Sequence, residues 1–284
     1  MARETLQAGG LRLTFDPELG GAILSLTRDG EDLLRPTPEG AADVLETACF
    51  PLVPYANRIA HGCFRFGGRT AALSRNMVGQ EHPLHGEGWR AAWRVEARGA
   101  DFATLVFEPR ATEWPWRYRA RQTFRLTPES STFEVNVLDM ADEPGPFGLG
   151  FHPYFPHSAT ARLTAHTTGV WRSSADLLPT ELAAGAPWAD GAAVRTERLV
   201  DHCHAGWVGL ARIDLGPGRP SLQMTASPEL GWLHVFAPPG EEFFCVEPVS
   251  HAPNAFNMAD PAAQGVRVLA PGETLTAWMR LDLM

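Results

Sequence analysis

Glu247 follows an apolar run, Phe243 to Val246, and precedes Pro248, which places its carboxylate at a strand end where a site can open. A carboxyl pressed among apolar groups has its pKa raised by desolvation, toward values useful for a general base. A solvated glutamate at a loop start satisfies the same pattern. His152 lies in Gly150-Phe-His-Pro-Tyr154-Phe155, where an imidazole is either a satisfied core histidine or a proton donor beside an aromatic wall. Asn57-Arg58 sits between Pro-Tyr-Ala and Ile59, and reads as a solvated charge or as a partly buried fork for hydroxyl or carboxylate oxygens. Asp201, ahead of His202-Cys203-His204, reads equally as a loop aspartate capping backbone amides or as a functional carboxylate.

His82 and His85, and His202 and His204, have spacings that metal sites use. A helical zinc motif needs two histidines one turn apart with a glutamate between them. His82-Pro-Leu-His85 contains proline, lacks that glutamate and stops at Gly86, so it reads as loop; the other pair lacks a clearly spaced third ligand. No metal is expected. A phosphate-binding GxxxxGK[ST] loop is missing, and no GxGxxG follows a strand, so nucleotide chemistry has no support.

Short strands must position these residues. The 27 glycines and 24 prolines are spread along all 284 residues and cut the chain into short apolar runs. Trp116 to Leu126 alternates with period two, as do Phe133 to Val137 and Leu275 to Leu281, so each has one buried and one wet face. Thr127-Pro128-Glu129-Ser130 supplies a turn between the first two runs, and the pair is predicted to form a hairpin. Leu11 to Phe15 and Ala22 to Leu26 flank a Gly20-Gly21 turn, and Asp29-Gly30 marks the next reversal. The one candidate helix is short, Pro38 to Thr47. No repeat or linker divides the chain, so residues 1–284 are read as a single all-β domain of packed antiparallel sheets.

A net charge of −9 argues against nucleic-acid or anionic-membrane partners, and 44% hydrophobic content supports a core. The N-terminus shows no apolar stretch behind a basic flank, and no run is long enough to span a membrane. With four cysteines far apart, the expectation is reduced, mostly buried thiols in a cytoplasmic protein.

Taken in order, these clusters resemble the aldose 1-epimerase, or galactose mutarotase, family. Asn57-Arg58-Ile59-Ala60-His61-Gly62 is similar to its NRIxxG stretch, Leu84-His85-Gly86 to its LHG element, and His152-x-Tyr154-Phe155 to its HxYF element. Leu199-Val-Asp201-His202 resembles its acidic segment, and Glu247-Pro248 with Pro253-Asn254-Ala255-x-Asn257 resembles its catalytic stretch. The resemblance implies a large antiparallel β-sandwich, the galactose mutarotase-like supersandwich, and a cofactor-independent isomerase acting on a small monosaccharide. It implies Glu247 as general base at the anomeric hydroxyl, a protonated His152 as general acid at the ring oxygen, and Asn57, Arg58, His85 and Asp201 as substrate-binding residues. Pro153 and Glu87-Gly88-Trp89 depart from the family pattern and bear on sugar identity. A hexose-6-phosphate 1-epimerase would need added cations, for which Arg75 and Arg90 are available. A non-catalytic carbohydrate-binding domain would lean on aromatics such as Trp89, Trp207 and Trp232. A glycoside hydrolase would use Asp201 and Glu247 as its two carboxylates.

Overall fold

The structure, a computed structural model, describes residues 3–110, 112–194 and 197–284; Met1 and Ala2, part of the leader reading, lie outside the described residues. Two antiparallel sheets, of eleven and nine strands, carry the fold, with two small two-stranded sheets beside them. Their inner faces share one hydrophobic core; Phe15 of one sheet meets Phe124 of the other edge-on, with ring centroids 5.2 Å apart. This is the expected large antiparallel sandwich. No helix among the described residues is long and apolar enough to cross a membrane.

Period-two patterning decides which faces are buried. Tyr118–Leu126 pairs with Ser130–Asp139 as the predicted hairpin, and Tyr118, Ala120, Phe124 and Leu126 all face inward. Gln122 shares that inner face and remains satisfied because its side-chain amide donates to the Gly21 carbonyl at 2.8 Å. Thr274–Leu283 pairs along the other side of Ser130–Asp139 and buries Leu275, Ala277, Met279 and Leu281. Leu11–Asp16 and Ala22–Arg28 pair across the diglycine turn, and Asp29 and Gly30, both at positive φ, reverse the chain again.

Two expectations need correction. Residues 38–47 do not form a helix beyond a single 3-10 turn, Val44–Glu46, which the Asp43 side chain caps; with two prolines and a glycine just upstream, the segment has no run long enough to propagate. Glu247 also does not end its strand: Phe243–Val249 continues through Pro248. Proline removes one ladder donor, but its fixed φ remains compatible with extended backbone.

The strands that matter for chemistry are neighbours in the larger sheet, in the order Cys49–Leu52, Gly150–Pro156, Phe243–Val249, Trp232–Ala237 and Val200–Ala205. The pairs Gly150 with Val249 and Tyr154 with Cys245 bracket His152 and Glu247 and set them opposite one another. Phe50 pairs with His152, His234 with Glu247, and Cys203 with His234. Phe50, His152, Glu247, His234 and Cys203 therefore form one row across five strands.

Candidate active site

A cavity of about 340 Å³ opens over that row, within the range of roughly 300–1,000 Å³ usual for small-molecule sites. Asn57, Arg58, His85, His152, Asp201 and Glu247, chosen from sequence, all line it. His234, Tyr154, Gln80 and Phe236 line it too, and Leu45, Met77, Leu84, Leu177 and Leu199 supply an apolar surround. His234 was missed from sequence: it sits in the apolar run Trp232 to Ala237, and only strand pairing reveals that it faces Glu247.

His152, His234, Asp201 and Glu247 lie on strands and are positioned by the sheet; Asn57, Arg58 and His85 depend on loops held from outside. The backbone N–H of Ala56 donates to His251 Nε2 at 3.1 Å, that of Asn254 donates to the Arg58 carbonyl at 2.8 Å, and that of Ala60 donates to Asn254 Oδ1 at 2.9 Å. Asn257 Nδ2 donates to Asn254 Oδ1 at 2.9 Å. The Pro253-to-Asn257 stretch thus acts as a brace for the Arg58 loop. Opposite it, Trp89 Nε1–H lies 3.1 Å from both the Leu84 and Gly86 carbonyls, which fixes the turn that presents His85. Asn57 and His85 both hold positive φ, 57° and 61°, a strained state for residues other than glycine that clusters at functional sites. Asn57 N–H donates to His85 Nδ1 at 3.1 Å, so the other ring nitrogen, Nε2, carries the His85 proton as a donor. The Asn57 side chain is engaged locally, with Oδ1 accepting from Arg58 N–H at 2.8 Å.

Glu247 is 2% exposed, and its Oε1 lies 3.4 Å from His152 Nε2. Burial drives the Glu247 pKa up to about 7; the nearby His234 and Arg58 cations restrain that rise and Asp201 adds to it. Burial has the opposite effect on His152, pushing it down to about 3 with further depression from His234 and Arg35. Its ring packs against Tyr154 at 4.7 Å and Phe50 at 4.6 Å, so no water reaches those faces. Burial thus favours the neutral imidazole at rest, and the aromatics wall the histidine itself. Asp201 is the opposite case. Burial opposes its charge, but the hydrogen bond to His234 Nε2 at 2.7 Å, with the charges of His234 and Arg58, holds it down at about 2. Arg58 Nη2 lies 3.5 Å from its other oxygen. A carboxylate held this firmly is a poor proton donor.

Among the described residues, two side-chain sets bring candidate metal donors within 4.8 Å of one another: His152, Cys245 and Glu247, and Glu81, His82 and Asp176. Burial holds the Cys245 thiol protonated, its pKa raised well above the usual value. His82 Nδ1 accepts from His61 N–H at 3.1 Å, which leaves its Nε2–H facing Asp176 at 3.3 Å. His204 is likewise engaged, accepting from Trp188 Nε1–H at 3.0 Å and donating to the Leu233 carbonyl. Arg75 is exposed and Arg90 stacks on Trp89 at 4.7 Å; neither lines the cavity. Trp89 and Trp207 are core residues and Trp232 is half-buried, and none of the three lines the cavity. A wider depression of about 1220 Å³ lies elsewhere, but its charged groups, among them Arg117, Arg119 and Glu108, pair with each other.

Residues 4–282 match the family model for aldose 1-epimerases. The chain is 34% identical over 292 residues to the uncharacterized Escherichia coli K12 protein YphB, covering 98% of this chain and 97% of that one. Its fold superimposes on a candidate aldose 1-epimerase from Escherichia coli K12 with a TM-score of 0.92, at 33% identity and 100% and 99% coverage. A galactose mutarotase-like protein from Clostridium acetobutylicum follows at a TM-score of 0.87 and 18% identity, covering 99% and 94%, a likeness of fold alone.

Proposed function

Because the chain belongs to the aldose 1-epimerase family, we propose that it interconverts the α and β anomers of a free, uncharged monosaccharide by opening and reclosing the sugar ring. The observation that carries this reading is the contact between Glu247 and His152 at the floor of the cavity. Ring opening of a hemiacetal removes a proton from the anomeric hydroxyl and delivers one to the ring oxygen. Ionised Glu247 takes the first; protonated His152 gives the second. The C1–O5 bond breaks, the anomeric carbon becomes an aldehyde, and the pair is left as protonated Glu247 and neutral His152. Rotation about C1–C2 then exposes the other carbonyl face. On closure, His152 recovers the proton from O5 as O5 attacks C1, and Glu247 returns its own to O1. The pair begins and ends with one shared proton, so no electron or group carrier enters the balance.

The resting tautomer, with the proton on Glu247, is the form that burial favours, and it is also the form that closes the ring. His85 Nε2–H and Arg58 are placed to donate to sugar oxygens. Among the described residues, Arg58 is the one Arg or Lys that lines the cavity, and it already faces Asp201, which favours an uncharged sugar over a hexose 6-phosphate. Four free thiols suit a reducing compartment, and we read the enzyme as cytoplasmic.

The test is to dissolve pure α-anomers of neutral aldoses and a hexose 6-phosphate and follow optical rotation. Faster equilibration of a neutral sugar, with the phosphate unaffected, is expected. Saturable binding with no acceleration would instead mark a carbohydrate-binding protein, and preference for the phosphate would reverse the substrate assignment.

A further inference from the structure

The outermost hairpin of the larger sheet, Gly169–Ser173 with Pro179–Ala184, sends its tip back over the candidate site. Leu177 in that tip lines the cavity and holds a φ of 65°, a conformation rare for a residue with a bulky side chain. Strain of this kind persists only where the surroundings enforce it. The Leu177 N–H donates to the Ser174 carbonyl at 3.0 Å and the Ser174 N–H to the Leu178 carbonyl at 2.9 Å, which closes the tip. The Ser174 hydroxyl bonds one carboxylate oxygen of Asp176. The other oxygen lies 3.3 Å from His82 Nε2, in the loop that carries Met77, Gln80 and His85 into the cavity. His82 is 1% exposed and its Nδ1 accepts from His61 N–H, so its Nε2–H is the donor toward Asp176. That loop is itself closed, because the Asn76 side chain exchanges two hydrogen bonds with the Leu84 backbone, at 2.6 and 2.8 Å. Leu177 is thus held at the cavity both by its own hairpin and by the loop that the hairpin reaches.

Taking the position of the anomeric centre from the reaction proposed above, on which this step rests, we propose that Leu177 restricts the site to single sugar rings. Asp176 is its positioning residue, through the contact with His82. Glu247 and His152, 2% and 7% exposed, meet O1 and O5 at the buried end of the cavity. In a pyranose the bond opposite C1–O5 is C3–C4, so the edge that carries O3 and O4 faces the mouth. Leu177 is half-buried and Leu199 exposed, which places both at that mouth. A free hydroxyl on C4 needs room there for one oxygen, whereas a glycosidic link at O4 needs room for a whole ring. The leucine side chain offers no hydrogen bond in exchange, so it acts by occupying that space. A volume of about 340 Å³, near the bottom of the usual range for small-molecule sites, agrees with a ligand of one ring.

The test compares glucose with maltose, and galactose with β-1,4-galactobiose, disaccharides whose reducing ring carries the second sugar on O4. In the wild type, kcat/KM for anomerisation should be far lower for each disaccharide than for its monosaccharide. Leu177→Gly removes the side chain and leaves a residue at home at positive φ, so the tip should keep its shape. In this variant the monosaccharide-to-disaccharide ratio should fall about tenfold or more, the scale on which pocket shape discriminates between substrates. Asp176→Ala should lower the ratio as well. Asp176→Asn, whose amide oxygen still accepts from His82, should keep it near the wild-type value. An unchanged ratio in Leu177→Gly or in Asp176→Ala would overturn the proposal, as would a wild type that turns over both kinds of sugar alike. Calorimetric binding of the same four sugars needs no turnover. If the wild type binds monosaccharides alone and Leu177→Gly admits both kinds, the size restriction stands, even where no sugar is anomerised and the proposed reaction fails. A wild type that binds both kinds alike, or neither, overturns it.

Discussion

Glu247 and His152 face each other across adjacent strands with 3.4 Å between Oε1 and Nε2, and the same burial moves their proton affinities in opposite directions. Desolvation disfavours whichever form is charged, so it protonates the carboxyl and deprotonates the imidazole. The result is a pair that holds a single proton over a wide pH range. Acid–base pairs of this kind behave as one titrating unit, and the whole account of turnover rests on that unit.

Replacing Glu247 with Gln removes the acceptor for the anomeric proton while keeping the size of the side chain. A positioned general base contributes typically 10²–10⁴-fold, so kcat should fall by about that much. Stopped-flow polarimetry measures it; a variant as fast as wild type would take Glu247 out of the mechanism.

Asp201→Asn should act on substrate binding and on stability together. The carboxylate it removes satisfies both Arg58 and His234, each less than a tenth exposed. Leaving buried charges without a partner costs on the order of 3–5 kcal/mol, so urea unfolding should show a loss of that order, accompanied by a raised KM. Unchanged unfolding would mean that solvent already screens the network.

Stability should fall as the solution is acidified below neutrality. His85, His152, His204 and His251 are all depressed by burial from their usual 6.5, the last two to about 4. Below 6.5 the unfolded chain takes up protons at these rings that the folded chain refuses, so their contribution is full above 6.5 and drains away as pH drops. Glu247, raised from 4.5 to about 7, works the other way over 4.5 to 7, and His234, raised from 6.5 to about 10, does so above 6.5, but these are two groups against four imidazoles. A urea midpoint lower at about pH 5 than at about pH 7 is expected.

Gly86→Ala tests the loop that presents His85. Gly86 has a φ of 74°, and an added Cβ would fall 2.3 Å from the Val53 carbonyl oxygen, which belongs to backbone and cannot swing away. The strain should cost about 1–3 kcal/mol and raise KM through a displaced His85. A variant with wild-type melting and binding would show that the turn adapts.

What the sequence discloses is local, and what it conceals is pairing. The alternation in Tyr118–Leu126 and Thr274–Leu283 is a property of neighbouring residues, so both strands and their buried faces were readable. Arg58, His85, His152, Asp201 and Glu247 were marked by prolines, glycines and aromatics beside ionisable groups, and they share the cavity. His234 carried no such marker, since a single histidine in an apolar strand reads as core. Its place opposite Glu247, with its ring hydrogen-bonded to Asp201, depends on strand order, which brings segments from residues 49 to 249 into one row. The neutral resting state of His152 was hidden for the same reason: Phe50, which covers its ring, arrives from a distant segment. Asn254 and Asn257 belong to the stretch that resembles the family motif around Glu247, and hydrogen bonding makes them supports for the Arg58 loop.

The most direct test of the shared-proton pair is kcat/KM for anomerisation of a neutral aldose measured across the pH range in which the protein stays folded. The singly protonated pair should give a level rate on the acid side and a decline of about tenfold per unit above about pH 7, as Glu247 loses the proton that His152 needs. A rate that instead climbs through pH 7 would mean that ionised Glu247 works with a neutral His152, and the relay described here would be wrong.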